Sequence, residues 1–343
     1  MRQKTIGIRD VAREAGVSVT TVSHILNNKA SARASDETRE RVRATAARLG
    51  YGPNRMARSL RMQRSEMIGL LSEDIATTPH AGRIILGAQD AARAEGLTIV
   101  LINTTQTQTD TDRDIAALLR QQVDGILYAT MYHRALELPE QLSEIPTVLI
   151  DVEDLSGRLT GVVPDEIGGA RNAVQELIDH GHRRIGFVTN IEDVPATRGR
   201  LAGYRETLEA SGIAFDGSLV AARASETQGG YEAALEVLST EGPPTALFCY
   251  NDRMAMGAYR AAAELGLRIP ADLSVVGFDN QEIVADGLFP SLTTVALPHY
   301  EMGQWAMKRL VGVLNDSEDP AEPAVLPCPL VRRESVAAPR PAS

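Results

Sequence analysis

A short helical pattern near the amino terminus constrains the fold of this chain more than any other feature. It occupies residues 16–27, which read Gly-Val-Ser-Val-Thr-Thr-Val-Ser-His-Ile-Leu-Asn. On a helical wheel its apolar residues share one face, and these are Val22, Ile25 and Leu26. The opposite face carries a polar stripe made of Thr20, His24 and Asn27. β-branched residues weaken a short helix, so their presence here favours a role other than helix stability, such as entry of the helix into a DNA major groove. The alternative is an ordinary helix with a polar outer face.

The flanking sequence predicts a three-helix unit around this segment. A first short helix starts at Asp10 and ends at Gly16, a glycine that can adopt the left-handed C-cap conformation. Ser18 then caps the second helix two residues later, which is the spacing of a helix-turn-helix motif. A third helix covers residues 36–49 and stops at Gly50, and its apolar side closes a small core.

Charge separates this amino-terminal unit from the rest of the chain. Residues 1–64 contain 14 Lys/Arg and 5 Asp/Glu, a balance of +9. The whole chain has 35 and 45 of these residues, which leaves a balance of −19 for the remainder. Cationic side chains displace counterions from DNA, so this unit is predicted to bind duplex DNA with a strong salt dependence.

The remaining sequence predicts an α/β body, because short apolar strands alternate with amphipathic helices. The predicted strands are 68–71, 98–102, 125–129 and 147–151, then 184–188, 246–249 and 273–278. The predicted helices are 81–95, 111–122, 167–180, 200–211, 228–239 and 252–265. Two such series indicate two similar parallel-sheet lobes with a cleft between them.

Polar residues follow several of these strands, at the edge where ligands bind in open α/β sheets. They are Asp74, Asp151, Asn251, Asp252 and Asp279. Arg200, in the turn that opens a helix, joins them in a predicted polyol-binding wall. A helix-capping role is favoured for Asp252 and ligand contact for Asp279, while a solvated arginine at a helix start is the alternative for Arg200.

Composition and motifs exclude several other classes of protein. A chain of 343 residues that is 43% hydrophobic can bury a large core in more than one domain. No apolar run reaches the roughly 18 residues of a membrane span, and no signal peptide is recognised, so a cytoplasmic protein is expected. The chain has only two cysteines, Cys249 and Cys328, so no disulfide framework is expected. His180 and His182 flank a predicted helix C-cap at Gly181, which does not fit a metal site, and neither a metal nor a cofactor is expected. Phosphate-binding, nucleophile-elbow and dinucleotide motifs are not found, which argues against an enzyme.

Specific motifs along the chain resemble the lactose repressor and purine repressor family over roughly residues 6–336. They include Asp10-Val11-Ala12, Gly16-Val17-Ser18, Thr21-Val22-Ser23, Gly50-Tyr51-Gly52-Pro53-Asn54, Ala57-Arg58-Ser59-Leu60, Asp124-Gly125-Ile126, Gly181-His182, Gly199-Arg200-Leu201-Ala202-Gly203, Gly277-Phe278-Asp279-Asn280 and Leu292-Thr293-Thr294. The resemblance implies an all-α helix-turn-helix head at 1–50, a linker with a hinge helix at 51–66, and a two-lobed effector-binding and dimerisation core at 67–336. Residues 337–343 are expected to be a disordered tail.

The resemblance also implies which residues contact DNA. The expected DNA-binding residues are Ser18, Val19, Thr20, Thr21, His24, Asn27, Arg58, Leu60 and Arg61. Val19, Thr20 and His24 match the base-reading positions of the recognition helix. Leu60 matches the hinge leucine that wedges between base steps in the minor groove, and Arg61 follows it. The hinge is too short to be a stable helix alone, so pairing across a homodimer is expected.

In the core, the resemblance implies that Asp151, Arg200, Asn251 and Asp279 contact an effector, with a sugar favoured. Ser225 departs from the family pattern, in which an aromatic ring stacks on the ligand, and this argues against a purine. The expected function is a repressor that binds a palindromic operator as a dimer and responds to a small molecule. The alternative is a solute-binding protein without a regulatory role.

Overall fold

The computed structural model describes residues 6–26, 34–51, 64–73, 75–78, 82–105, 107–316 and 323–340. The chain divides into two compact units, Met1–Glu66 and Met67–Ser343. Residues 52–63 of the expected linker, with Arg58, Leu60 and Arg61, lie outside the described residues, as do Asn27 and Asp74.

The first unit contains the three predicted helices, which are Ile8–Ala15, Val19–Leu26 and Asp36–Arg48. Their shared core is buried and consists of Val11, Ala12, Ala15, Val22, Ile25, Val42 and Ala46. Gly16 adopts the predicted left-handed conformation with φ of 67°, which turns the chain into the second helix. The Ser18 Oγ accepts the Thr21 N–H at 3.0 Å, so this serine caps the second helix as predicted. The first helix begins two residues earlier than predicted because the Asp10 carboxylate accepts the N–H of Gly7 at 3.0 Å.

The second unit is built on two six-stranded sheets. Its strands are β1 Met67–Glu73, β2 Thr98–Thr104, β3 Gly125–Leu136, β4 Thr147–Asp154, β5 Gly161–Pro164, β6 Ile185–Asn190, β7 Val220–Arg223, β8 Ala246–Cys249, β9 Ser274–Asp279, β10 Thr293–Ala296, β11 Ala324–Leu326 and β12 Leu330–Val331. The first sheet has the order β11-β5-β4-β3-β1-β2 and the second has the order β12-β10-β9-β8-β6-β7. All the described pairings are parallel except that of β10 with β12, which confirms the predicted pair of parallel-sheet lobes.

Helices cover both faces of each sheet, as apolar parallel strands require. They are Gly82–Ala94, Gln108–Arg120, Glu166–Asp179, Pro195–Ala210, Thr227–Leu238, Asp252–Glu264, Glu282–Ala285 and His299–Leu314, with short 3-10 turns at Ile75–Thr77, Glu140–Ser143 and Gly217–Leu219. The helix His299–Leu314 was not predicted from the sequence, although it packs closely against Gly82–Ala94. A Cβ on Gly303 would lie 2.1 Å from the carbonyl oxygen of Ile84, so only glycine permits this approach.

The chain passes between the two lobes three times. It crosses between β5 and the helix Glu166–Asp179, between β10 and the helix His299–Leu314, and between β11 and β12. The helix His299–Leu314 belongs to the first lobe, where Met302 and Leu310 enter its core. Because every crossing follows a strand, residues at the crossings lie beside the carboxyl ends of the sheets.

The ordered chain extends beyond the expected core boundary at residue 336. The N–H of Ala337 donates to the Ser274 Oγ at 3.1 Å, and its carbonyl lies 2.9 Å from the His182 Nε2. Arg340 pairs with Asp272 at 2.6 Å. The expectation of a disordered tail from residue 337 is therefore wrong for residues 337–340, since these contacts satisfy polar groups that a free tail would leave to water.

Candidate functional site

The second helix of the first unit presents the side chains expected to contact DNA. Val19 is 41% exposed at the start of this helix. Thr20 is also exposed, and His24 is partly exposed on the same helix. Ser18 and Thr21 lie at the helix start, where their hydroxyl oxygens are 2.8 Å apart. Ser18 thus has a structural role as a helix cap. The described contacts assign no structural role of this kind to the side chains of Val19, Thr20 and His24.

Two arginines of the third helix hold it against the first helix. The Arg41 Nε donates to the carbonyl of Ala15 at 3.2 Å, at the carboxyl end of the first helix. Arg48 pairs with Glu14 at 2.8 Å. These contacts fix the third helix against the first, so the orientation of the second helix is set by the fold of the head.

In the second unit, a cavity of about 40 Å³ lies between the lobes at the carboxyl ends of their strands. It is lined by Met131, Tyr132, His133, Asp151, Glu166, Asn190, Arg200, Ser225, Tyr250, Asn251, Arg253, Asp279 and Leu297. The four residues expected to bind an effector, and the unusual Ser225, therefore meet at one cavity. The lining comes from both lobes, because β3 and β4 belong to the first sheet and β6, β8 and β9 to the second.

Arg200 is the most buried cation of this cavity and contacts several of its walls. It lies within the helix Pro195–Ala210 and is 3% exposed, so the alternative of a solvated arginine at a helix start is wrong. Its Nε donates to the Glu166 Oε2 at 2.7 Å, and its Nη1 donates to the carbonyl of Tyr250. Its guanidinium carbon lies 3.8 Å from the centre of the Phe278 ring. Burial, the largest single effect, would lower the pKa of Arg200, but Glu166, Tyr250 and Asp279 together outweigh it and the pKa is raised.

Asp151 is buried and forms no ion pair among the described residues. Its Oδ1 atom is buried and has no hydrogen-bond partner among the described residues. Its backbone is left-handed, with φ of 63°, and β4 continues for three residues beyond this kink instead of ending there as predicted. Burial raises the pKa of this carboxyl well above its ordinary value, and the nearby carboxylate of Glu166 raises it further. Left-handed non-glycine residues and buried unpaired carboxyls are both concentrated at functional sites.

A partly buried loop positions Asp279 on the opposite wall. Asp279 and Asn280 are both left-handed, with φ of 99° and 52°. The loop is held by Asp252, whose Oδ2 accepts the Gln281 N–H at 2.7 Å and whose Oδ1 accepts the Thr294 hydroxyl at 2.6 Å. Asp252 is thus a positioning residue for the Asp279 loop.

The predicted cap role of Asp252 is wrong, because Asn251 performs it. The Asn251 Oδ1 accepts the N–H of Met254 at 2.8 Å, and its Nδ2 donates to the carbonyl of Ser225 at 3.1 Å. Asp252 lies one residue further on, and its carboxylate turns toward the Asp279 loop instead of the helix N–H groups. Asn251 lines the cavity while both ends of its amide are engaged, so any contact with a ligand would share one of these atoms.

Two important lining residues were missed by sequence reasoning. Glu166 follows β5, a strand of four residues that is too short to produce a recognisable pattern. His133 lies in a strand that continues seven residues beyond its predicted end at 129. The His133 Nε2 lies 2.9 Å from Glu153 Oε1, and its Nδ1 lies 4.0 Å from Glu166 Oε1. A continuing β-pattern, Thr-Met-Tyr-His-Arg, was the available signal.

Within the described ranges, no three His, Cys, Asp or Glu side chains cluster in a way that could hold a metal ion. His182 instead lies within hydrogen-bonding distance of the Thr245 and Ser274 hydroxyls, at 2.8 Å and 3.0 Å. Burial lowers its pKa, so it acts as a neutral structural group. Among the described helices, none has the length and apolar character to span a bilayer.

A helix-turn-helix head with a core of two parallel α/β lobes around a polar cavity defines a ligand-responsive DNA-binding regulator. Residues 7–54 match "Bacterial regulatory proteins, lacI family", and residues 174–336 match "Periplasmic binding protein-like domain". The HTH-type transcriptional repressor PurR of Proteus mirabilis is 36% identical over 334 residues, which covers 96% of each chain.

Solved structures show the same similarity. The lac repressor dimer bound to operator and the anti-inducer ONPF has a TM-score of 0.81 and 28% identity, with 98% of this chain and 100% of that chain covered. A complex of the transcriptional regulator CelR with cellobiose has a TM-score of 0.70 and 32% identity, with 96% and 100% covered. The chain belongs to the lacI family of bacterial transcriptional regulators.

The raised pKa of Asp151 predicts a specific dependence of stability on pH. The folded state keeps the Asp151 proton to a higher pH than the unfolded chain, whose aspartates titrate near 3.8, so stability falls as pH rises above that value. We expect Asp151→Asn to stabilise the ligand-free protein at neutral pH, because an amide has no proton whose loss burial opposes, and each unit of pKa shift is worth about 1.4 kcal/mol. Thermal midpoints measured from about pH 5 to pH 8 check this.

The control for this measurement is Asp193→Asn, at an exposed carboxylate that pairs with Arg198. It should leave the pH profile unchanged. If Asp151→Asn lowered the midpoint at neutral pH, the carboxylate would have to be satisfied, and its assignment as an unpaired functional group would be wrong.

Proposed function

We propose that this regulator is a repressor that binds a palindromic operator as a homodimer and is switched by a small molecule, with a sugar favoured, in the cavity between its lobes. The observation that carries the proposal is that polar residues from both lobes meet at one cavity in a chain that also bears an exposed helix-turn-helix surface. The lac repressor dimer bound to operator and the CelR complex with cellobiose support the two halves of this proposal.

DNA contact is assigned to the exposed edge of the helix Val19–Leu26. The Val19 side chain and the Thr20 methyl suit the methyl group of thymine, and His24 can donate a hydrogen bond to guanine. The remaining predicted contacts are Ser18, Thr21, Asn27, Arg58, Leu60 and Arg61. Of these, Leu60 is assigned as the minor-groove wedge of the hinge, on the family resemblance alone.

The cavity is small for the ligand it is proposed to bind. A volume of about 40 Å³ has room for a few water molecules, whereas small-molecule sites usually measure about 300–1,000 Å³. A monosaccharide therefore requires the lobes to separate or the lining to rearrange. Since Glu166 and Leu297 lie beside crossings between the lobes, ligand entry is coupled to the angle between them.

Two contacts across the cleft oppose this separation. The Tyr132 hydroxyl donates to the Glu192 Oε2 at 3.0 Å, and Arg83 pairs with Glu282 at 3.1 Å. Both members of the second pair are exposed, so solvent screening makes it weak. A ligand shifts the lobes only by its difference in affinity for their arrangements, and this difference is the proposed source of switching.

The proposed dimer surface includes large apolar side chains on neighbouring elements of the core. Ile283 is 80% exposed, and Leu86 is 51% exposed on the helix Gly82–Ala94. Arg83, one turn before Leu86, pairs with Glu282, which places the two elements side by side. Phe289, which is 94% exposed, follows four residues after the helix Glu282–Ala285. Exposed apolar side chains of this size on adjacent elements favour an interface.

We expect Ile283→Lys to shift the protein from dimer to monomer, because a charge in an apolar interface loses its hydration without gaining a partner. Sedimentation velocity at micromolar concentration measures this. Leu265→Lys, at a leucine 44% exposed beyond the end of the helix Asp252–Glu264, is the matched control and should leave the dimer intact. A dimer that tolerates Ile283→Lys as well as the control would place the interface elsewhere.

His24→Ala should weaken binding to the cognate operator by about 1–3 kcal/mol and have little effect on random duplexes, because a base contact acts only on the correct sequence. The operator is first selected from a random duplex library, and affinities follow by fluorescence anisotropy at fixed salt. His180→Ala, at an exposed histidine of the second unit, is the control. Equal losses on cognate and random DNA would show that His24 contacts only phosphate.

The proposed function as a whole is tested by Asp279→Asn, which preserves side-chain shape and the left-handed backbone. We expect sugars that change operator binding of the unaltered protein to lose most of their effect, while operator binding without sugar stays the same. Calorimetry with mono- and disaccharides, followed by operator release assays, measures this. Asp193→Asn is the control, and a normal response in Asp279→Asn would remove this residue from the effector site.

A further inference from the structure

The strand β3 contains an irregularity directly opposite Asp151. Ile126 to Ala129 pair in register with Thr147 to Ile150, and pairing resumes with Arg134 opposite Val152. Residues 130–133 on β3 therefore face the single residue Asp151 on β4, and we call them the β3 bulge. The Thr130 Oγ1 lies 2.7 Å from the carbonyl oxygen of Asp151 and 3.0 Å from that of Tyr132. This hydroxyl joins the bulge to the left-handed backbone of Asp151.

The β3 bulge supplies three of the residues that line the cavity, Met131, Tyr132 and His133. Bulges beside functional sites commonly redirect side chains in this way. Since position 225 is serine, Tyr132 contributes an aromatic surface that position 225 does not.

Three residues that line this cavity carry a buried polar atom with no hydrogen-bond partner among the described residues. These atoms are the Oδ1 of Asp151, the Nδ1 of His133 and the Nε of Arg253. The other ring nitrogen of His133 is engaged by Glu153 at 2.9 Å, which orients the ring. Buried polar atoms are almost always satisfied in folded proteins, so three exceptions lining one cavity indicate groups that a ligand can satisfy.

The charges around the cavity favour a ligand without negative charge. Three carboxyl groups line it, from Asp151, Glu166 and Asp279, and the buried cation Arg200 already contacts Glu166, Asp279 and the carbonyl of Tyr250. Arg253 also lines the cavity, where its Nη1 pairs with Glu226 at 3.2 Å while its Nε has no hydrogen-bond partner among the described residues. Both arginines of the cavity thus already pair with carboxylates, and a phosphate or carboxylate placed here would compete with Glu166, Asp279 and Glu226 for them.

We propose that the β3 bulge is the specificity wall of the effector site, where His133 Nδ1 and Asp151 Oδ1 bind hydroxyl groups of a polyol that carries no anionic group. This inference rests on the proposed function, because it concerns the same cavity. It adds a residue outside the expected effector set and excludes phosphorylated and carboxylated sugars as effectors.

The ligand class is tested by calorimetry on the full chain. The probes are D-ribose, D-glucose, D-galactose and cellobiose, with ribose 5-phosphate, glucose 6-phosphate, galactose 6-phosphate and gluconate as anionic counterparts. We expect at least one uncharged sugar to bind and its anionic counterpart to bind at least about tenfold more weakly. An anionic sugar that binds as tightly as its uncharged counterpart would overturn the inference while leaving the proposed function intact.

The role of His133 is tested with two variants that keep different nitrogens of the ring. His133→Gln retains an amide near the Nε2 position, which can contact Glu153, and removes the group at Nδ1. His133→Asn retains an amide near Nδ1 and loses the Glu153 contact. We expect His133→Gln to weaken sugar binding by about tenfold, the effect of one lost hydrogen bond to a buried group, and His133→Asn to retain most of it.

A merely structural role for His133 predicts the reverse order, since that role runs through Glu153. Thermal midpoints and operator affinity without sugar establish that both variants fold. If no sugar in the panel binds, and none changes operator binding, the proposed function and this inference both fail. If sugars bind and His133→Gln binds as well as the unaltered protein, only the assignment of His133 fails.

Discussion

The cavity depends on one buried ion pair, between Arg200 and Glu166. It joins the helix Pro195–Ala210 to the helix that begins directly after the first crossing between the lobes. Removing one partner of such a pair usually costs about 3–5 kcal/mol, because the other charge is left buried alone. With the Tyr250 carbonyl and Asp279 also in contact with Arg200, the wall of the second lobe is organised before any ligand arrives.

The first lobe presents the complementary situation. Asp151 and His133 each carry a buried polar atom without a partner, and both belong to strands of the first sheet. A ligand that rests on the ordered wall of the second lobe and satisfies these atoms connects the lobes more strongly in one arrangement than in another. Moving a two-state equilibrium from 1:99 to 99:1 takes about 5.5 kcal/mol, which a few such hydrogen bonds with the accompanying burial can provide.

Much of this arrangement could be predicted from the order of residues along the chain. Parallel strands end at one edge of a sheet, so Asp151, Asn251 and Asp279 were placed near each other simply because each follows a run of apolar residues. Asp252 was misjudged because its neighbour Asn251 satisfies the helix terminus first, which frees the Asp252 carboxylate to hold a loop 29 residues away. His133 was missed because its strand continues past a bulge, and a bulge depends on pairing with another strand.

Local pattern determined the three-helix head, the alternation of strands and helices, and the polar strand ends, since these depend on side-chain period and turn chemistry within a few residues. Tertiary structure alone decided that Arg200 is buried against Glu166, that His133 lies in a bulge opposite Asp151, and that residues 337–340 are held by Ser274 and Asp272. These contacts join residues 34 to 68 positions apart or bring two strands into an irregular register. Their strength comes from burial and low dielectric, which no segment of the chain creates until the lobes have assembled.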